Sequence, residues 1–221
     1  MSKPLLIYCY DAYCGWCYGF SPVMKQVFET YKDKLEFEVL SGGMLTGESV
    51  QPITKIAPYI QGAYKRVEEL TGIKFGSDFL WHINNPEESD WVMNSEKPAI
   101  ALSIFKEFYP ERQIEFATDL QYALNYEGRD LDDNEAYHHL LEKYSIQPET
   151  FYEKLASDEY KDKAHYDFAL CKHLQADSFP QVLLQLTDSK FYLLAKGYTP
   201  YKEVVQRIEN VLKENNLQES Q

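Results

Sequence analysis

The sequence predicts an α/β protein in which a long helical segment interrupts a small domain built around one sheet. Two observations near the chain ends support this fold class: segment 1–47 has the pattern strand–helix–strand, and segment 166–216 ends in a β-hairpin and a helix. The third is that residues 48–165 have apolar residues at helical spacing. Because both ends supply strands, we expect one sheet and an inserted helical domain.

The first elements are bounded by clear signals. The apolar run "PLLIYCYD" reads as a buried strand, and the spacing of apolar residues from Cys14 to Tyr31 predicts a helix. Pro22 lies within that helix, so we expect a kink or a restart there. The alternating segment "LEFEVLSGG" predicts a second strand that ends at two glycines.

The remaining elements follow the same rules. Stretches such as "IALSIFKEFY" and "FATDLQYALNY" predict helices in the insertion, separated by proline and glycine residues. Near the C-terminus, "QVLLQLT" and "KFYLLAKG" predict a hairpin, and Pro200 suits the first turn of a final helix. Residues 217–221 are expected to form a frayed tail.

The composition excludes several classes of protein. Of the 221 residues, 44% are hydrophobic and 15% aromatic, which is enough to build a core. The formal net charge of -13 disfavours binding to nucleic acid. No segment approaches the roughly 20 apolar residues of a membrane span, and no signal peptide is recognised at the N-terminus. We therefore expect a cytoplasmic protein without a membrane partner.

A C-x-x-C pair stands where the first strand meets the first helix. A helix N-terminus lowers the pKa of a thiol through its free N–H groups, and the thiolate is the nucleophile in disulfide exchange. We therefore expect Cys14 to attack and Cys17, one turn later and more buried, to resolve the mixed disulfide. Gly15 leaves the first sulfur accessible, and Trp16 offers an apolar surface to a substrate.

Metal sites are weaker interpretations of the same stretch. Cys9 completes a C-x₄-C-x₂-C pattern that resembles part of an iron–sulfur ligand run, with Cys171 as a distant fourth ligand. Zinc would need a second ligand pair, and only Cys171 and His173 suggest one. We expect Cys9 and Cys171 to be buried small apolar residues and no metal to be bound.

A second motif, "SFPQVLL", places a proline directly before a central strand. Proline is rare there unless it has a special role. Together with the C-x-x-C pair, this predicts a cis bond between Phe179 and Pro180 that turns a backbone edge toward the dithiol. That edge could pair with an extended substrate.

The chain resembles the thioredoxin-fold superfamily and, more narrowly, the DsbA family, whose thioredoxin-like fold carries a helical insertion. It is most similar to the FrnE-like predicted protein-disulfide isomerases. The resemblance rests on "CGWCYGFSP", "GGMLTGE", "NSEKPA", "LQYALNYEGRDL" and "SFPQVLL". It implies that Cys14 and Cys17 are the redox pair and that Pro180 is the cis-proline. The middle motifs have no assigned role, and Arg129 is expected to pair with a neighbouring carboxylate.

The resulting hypothesis is a thiol–disulfide oxidoreductase or protein-disulfide isomerase. Its partners would be protein or small-molecule disulfides and thiols, and glutathione is a candidate co-substrate. The redox-active Cys14–Cys17 disulfide would serve in place of a separate cofactor. Two alternatives stay open: a glutathione-dependent isomerase of the 2-hydroxychromene-2-carboxylate type, and a chaperone-like binding protein. The sequence predicts neither the direction of electron flow nor the oligomeric state.

Overall fold

The structure is a computed structural model that describes residues 3–217. Along the chain, the strands and α-helices are β1 (Leu5–Tyr10), α1 (Gly15–Tyr31), β2 (Glu36–Ser41), β3 (Gln51–Pro52), α2 (Ile53–Thr71), α3 (Ser77–Asn84), β4 (Val92–Met93), α4 (Glu96–Phe108), α5 (Gln113–Asn125), α6 (Glu135–Tyr144), α7 (Pro148–Leu155), α8 (Asp158–His173), β5 (Gln181–Thr187), β6 (Lys190–Lys196) and α9 (Tyr201–Glu214). Of the predicted tail, residues 218–221 lie outside the described residues. The α/β class and the helical character of the middle segment are confirmed.

The main sheet joins the two ends of the chain. Its strand order is β2-β1-β5-β6, with β1 parallel to β2 and antiparallel to β5. In this register Cys9 lies opposite Gln181, so the end of β1 meets the start of β5. The sheet therefore brings the loop that carries the C-x-x-C pair next to the segment before β5.

Helix α1 runs without interruption through Pro22, so of the two expected outcomes the restart does not occur, and a kink stays a prediction. A proline cannot donate a backbone hydrogen bond to the residue four positions earlier. That residue is Tyr18, and its carbonyl accepts a hydrogen bond of 2.8 Å from the hydroxyl of Ser21 instead. The local side chain thus replaces the bond that Pro22 removes.

The two faces of β1 belong to different apolar clusters. Leu6, Tyr8 and Tyr10 face the main core, while Ile7 and Cys9 face a smaller cluster that includes Cys171. This alternation is the two-residue period of a strand. Both cysteines of the smaller cluster are buried, as predicted. A hydrogen bond with Cys9, together with burial, raises the pKa of the Cys171 thiol.

The inserted segment packs onto the sheet domain through several helices. Helix α5 contacts α1, and α8 contacts β2. Helix α8 runs continuously across position 165, where the sequence suggests a domain boundary, and the division into domains stays a prediction. The short pair of β3 and β4 lies within the insertion and was not expected. Among residues 3–217, we find no helix with the length and apolar character that crossing a membrane requires.

Candidate active site

Cys14 occupies the N-cap position of α1. Its sulfur accepts a hydrogen bond of 3.3 Å from the backbone N–H of Cys17. An N-cap side chain normally satisfies one of the free N–H groups of the first turn, and here a sulfur has that position. The Cys14 sulfur thus accepts the hydrogen bond that caps the first turn of α1.

The two cysteines differ in exposure. Cys17 is fully buried, whereas 7% of Cys14 is exposed at the edge of a cavity. Burial raises the pKa of the Cys17 thiol, and the neighbouring Cys14 adds to the effect. A protonated, buried thiol is a poor first nucleophile. The arrangement is therefore compatible with attack by Cys14 and later attack by Cys17, roles that stay predictions.

The segment before β5 meets Cys14 directly. The Phe179–Pro180 peptide bond is cis, as the sequence predicts. The thiol of Cys14 lies 3.5 Å from the carbonyl oxygen of Phe179. Pro180 is buried, and its carbonyl accepts a hydrogen bond of 2.8 Å from Gly197, the residue after β6. The structure thus brings together residues that are 165 positions apart in the chain.

Gly42 makes room for the ring of Phe179. A Cβ atom at Gly42 would lie 2.1 Å from the ring's Cζ atom, far inside van der Waals contact. Gly42 follows β2, and its N–H donates a hydrogen bond of 2.7 Å to the carbonyl of Tyr10. The first glycine of the "GGMLTGE" motif is therefore needed for close packing beside Cys14.

Gly42→Ala should displace the Phe179 ring and slow the disulfide exchange that the sequence predicts. Overpacking of this kind typically costs about 1–3 kcal/mol of unfolding free energy. The control is Gly62→Ala on α2, because a Cβ there meets no atom within 4 Å. Alanine should stabilise that helix by about 0.5–1 kcal/mol and leave exchange unchanged. Denaturant unfolding and exchange kinetics test both variants. A wild-type exchange rate in Gly42→Ala would contradict the role of Gly42 in the packing beside Cys14.

A largely apolar cavity of about 430 Å³ opens beside Cys14. Gly15, Trp16 and Phe179 line it, so the structure brings all three predicted substrate-contact residues to one place. Further lining residues come from one side of α2, from the loop before α3 and from α3 itself: Ile56, Tyr59, Ile60, Ala63, Tyr64, Phe75 and Phe79. The α2 members recur every three or four residues, which places them on one helix face.

Asp11 is a buried residue of the site that the sequence did not single out. Only 1% of it is exposed, and its carboxylate accepts hydrogen bonds from Tyr13 N (3.0 Å), Met44 N (2.8 Å) and Ser95 Oγ (2.9 Å). The hydroxyl of Ser95 also accepts a bond of 3.1 Å from Leu45 N. Burial raises the pKa of Asp11, while these donors oppose that effect.

The backbone of Asp11 connects the site to α5. Its carbonyl accepts hydrogen bonds from Cys14 N (3.1 Å) and from Gln121 Nε2 (3.3 Å). The motifs "GGMLTGE", "NSEKPA" and "LQYALNYEGRDL" therefore each supply a partner of Asp11: Met44, Ser95 and Gln121. Motifs that are separate along the chain hold one loop in place, the loop that presents Cys14.

The other candidate residues lie elsewhere. Cys9 and Cys171 belong to the cluster on the opposite face of the sheet. Arg129 pairs with Glu127 at 2.7 Å, as predicted. Within residues 3–217, no group of three or more His, Cys, Asp and Glu side chains is arranged to hold a metal ion. The C-x₄-C-x₂-C pattern is thus divided between two regions of the core.

Comparison with solved structures identifies the fold. A structure from Nitrosomonas europaea, assigned provisionally as a protein disulfide isomerase, matches with a TM-score of 0.82 and 22% identity over 96% of this chain and 99% of that one. The cytosolic disulfide reductase DsbM from Pseudomonas aeruginosa matches with a TM-score of 0.76 and 24% identity over 95% and 99%. It has also been solved with glutathione.

A third neighbour has a different activity. A 2-hydroxychromene-2-carboxylate isomerase matches with a TM-score of 0.64 and 11% identity over 97% of this chain and 99% of that one. No protein-family model matches the sequence, and neither does any curated protein. The similarity over nearly the whole chain shows that this protein has the DsbA-like form of the thioredoxin fold, with a helical insertion.

Proposed function

We propose that this protein is a cytoplasmic thiol–disulfide oxidoreductase in which Cys14 and Cys17 are the redox pair. The observation that supports this proposal most directly is the position of the Cys14 sulfur. It lies 3.3 Å from a helix N-terminal N–H and 3.5 Å from the Phe179 carbonyl, at the edge of an apolar cavity. This arrangement supplies a nucleophile, a means of stabilising its charge and a place for substrate.

The exchange proceeds in two steps. The Cys14 thiolate attacks one sulfur of the substrate disulfide, whose S–S bond breaks, and the departing thiolate takes up a proton. The Cys17 thiol then loses its proton and attacks the Cys14 sulfur. The mixed disulfide breaks, and the second substrate sulfur leaves as a thiol. Two electrons pass to the substrate, and the pair becomes a disulfide that an external thiol reduces again.

The cavity and the segment before β5 supply the substrate contacts in this proposal. Trp16 and the apolar face of α2 would receive a hydrophobic side chain next to the substrate cysteine. Phe179 and Pro180 would hold the substrate backbone, because an extended chain can pair with a free backbone edge. A polypeptide disulfide with apolar neighbours fits these surfaces. Glutathione, present in one solved neighbour, is proposed as a weaker co-substrate.

A cytoplasmic location agrees with the description of one structural neighbour as cytosolic. In a glutathione-buffered compartment the dithiol would be held largely reduced, which favours reductase or isomerase activity over oxidation. The two alternatives from the sequence, a glutathione-dependent isomerase of the 2-hydroxychromene-2-carboxylate type and a chaperone-like binding protein, remain predictions. The dithiol beside the cavity favours exchange over both, because neither alternative needs a second cysteine one turn after the first.

Insulin reduction tests the proposed activity. With dithiothreitol as electron donor, catalytic amounts of the protein should accelerate the precipitation of insulin chains well above the uncatalysed rate. Equilibration against defined ratios of reduced to oxidised glutathione then gives the reduction potential. The proposal is wrong if the protein accelerates the reduction of neither insulin nor a small disulfide such as bis(2-hydroxyethyl) disulfide.

A further inference from the structure

The cavity beside Cys14 is lined almost entirely by uncharged side chains. Its walls contain Trp16, Ile60, Phe75 and other apolar side chains. Among the described residues that line it, none is Lys, Arg or His, and the charged one is Asp177. A carboxylate entering this cavity would lose water without gaining a cation, which is costly.

Asp177 also forms an ion pair with a lysine at this edge of the sheet. Its Oδ1 lies 2.7 Å from Nζ of Lys196, at the end of β6. Both side chains are largely exposed, at 73% for Asp177 and 49% for Lys196. Asp177 lies two residues before Phe179, whose carbonyl contacts Cys14. A negative charge therefore lies at the cavity and neutralises a lysine that could otherwise attract an anionic substrate.

We propose that Asp177 and the cation-free cavity make this site discriminate against glutathione in favour of disulfides whose neighbouring groups are apolar and carry no carboxylate. The inference rests on the proposed disulfide exchange and names its substrate class. Each half of oxidised glutathione has two carboxylates and one ammonium group, so it is anionic at neutral pH. A site that leaves the carboxylates of the wrong partner without a cation weakens that partner, and the formal net charge of -13 adds a general repulsion of anions.

The test compares kcat/KM for three disulfides at low ionic strength. They are oxidised glutathione and the symmetric disulfides of two capped dipeptides, N-acetyl-Phe-Cys-amide and N-acetyl-Glu-Cys-amide. The wild-type protein should prefer the phenylalanine peptide to the glutamate peptide by about tenfold or more. In Asp177→Asn, which removes the carboxylate and frees Lys196, the ratio of glutathione to phenylalanine-peptide activity should rise about three- to fivefold. The rise should shrink in about 0.5 M salt.

Asp188→Asn is the matched control. It makes the same change in net charge, but Asp188 lies in the turn between β5 and β6 and lines a different pocket. Its activity ratio should equal that of the wild type. Equal wild-type activity toward the two peptides overturns the substrate class, and an unchanged ratio in Asp177→Asn overturns the role of Asp177. Inactivity toward every disulfide, including bis(2-hydroxyethyl) disulfide, contradicts the proposed function itself.

Discussion

Cys14→Ser should reduce disulfide exchange by about a thousandfold or more, because it removes the nucleophile. Cys17→Ser should have a different effect. Cys14 can still attack, but no thiol is left to resolve the product, so a mixed disulfide between Cys14 and the substrate should accumulate. Intact-mass spectrometry after mixing with an excess of a peptide disulfide measures this adduct, and insulin reduction measures turnover.

Cys171 provides a matched control. Cys171→Ser retains a hydrogen-bonding group beside the carbonyl of Ser41, which lies 3.5 Å from the Cys171 sulfur. This variant should reduce insulin at the wild-type rate, since Cys171 is on the opposite face of the sheet from the dithiol. An adduct on Cys17 in Cys14→Ser, formed as fast as the Cys14 adduct in Cys17→Ser, would contradict the proposed order of attack.

Ser95→Ala should destabilise the protein and slow the first attack. The substitution removes a bond to the buried Asp11 carboxylate and leaves Leu45 N without its side-chain acceptor. An unsatisfied buried group costs about 1–3 kcal/mol, so the unfolding free energy should fall by that amount. Because the Asp11 carbonyl positions the N–H of Cys14, exchange should slow by about tenfold.

A double-mutant cycle with Asp11→Asn separates the loss of the hydrogen bond between Ser95 and Asp11 from other destabilising effects of the substitutions. The coupling between Ser95→Ala and Asp11→Asn should be about 1 kcal/mol or more, measured by urea unfolding. Ser103→Ala, within α4, is the control, since among residues 3–217 its hydroxyl bonds only to the carbonyl of Ala99, four residues earlier. It should be nearly neutral. Coupling close to zero would mean that Ser95 acts independently of Asp11.

Local patterns in the sequence determined much of the fold and the centre of the site. Helical spacing, strand alternation and turn residues are short-range signals, so α1, β1, β2 and the C-terminal hairpin lie close to their predicted bounds. The C-x-x-C pair can be identified as a candidate redox pair as soon as the sequence shows that a helix begins there. The cis bond before Pro180 could be predicted because a proline directly before a central strand is unusual, whichever strands lie beside it. The sequence could not exclude a restart of α1 at Pro22, because the compensating hydrogen bond of the Ser21 hydroxyl depends on side-chain geometry.

The tertiary structure alone decided which residues surround the dithiol. The carboxylate of Asp11 takes its partners from a loop after β2 and from the N-terminus of α4, and no local pattern predicts that a given aspartate will be buried among such donors. The cavity wall on α2 and the pairing of Asp177 with Lys196 likewise depend on how distant segments pack. The burial and charge of these side chains are set by contacts across the fold, and under the proposed function these contacts decide which substrates reach the dithiol.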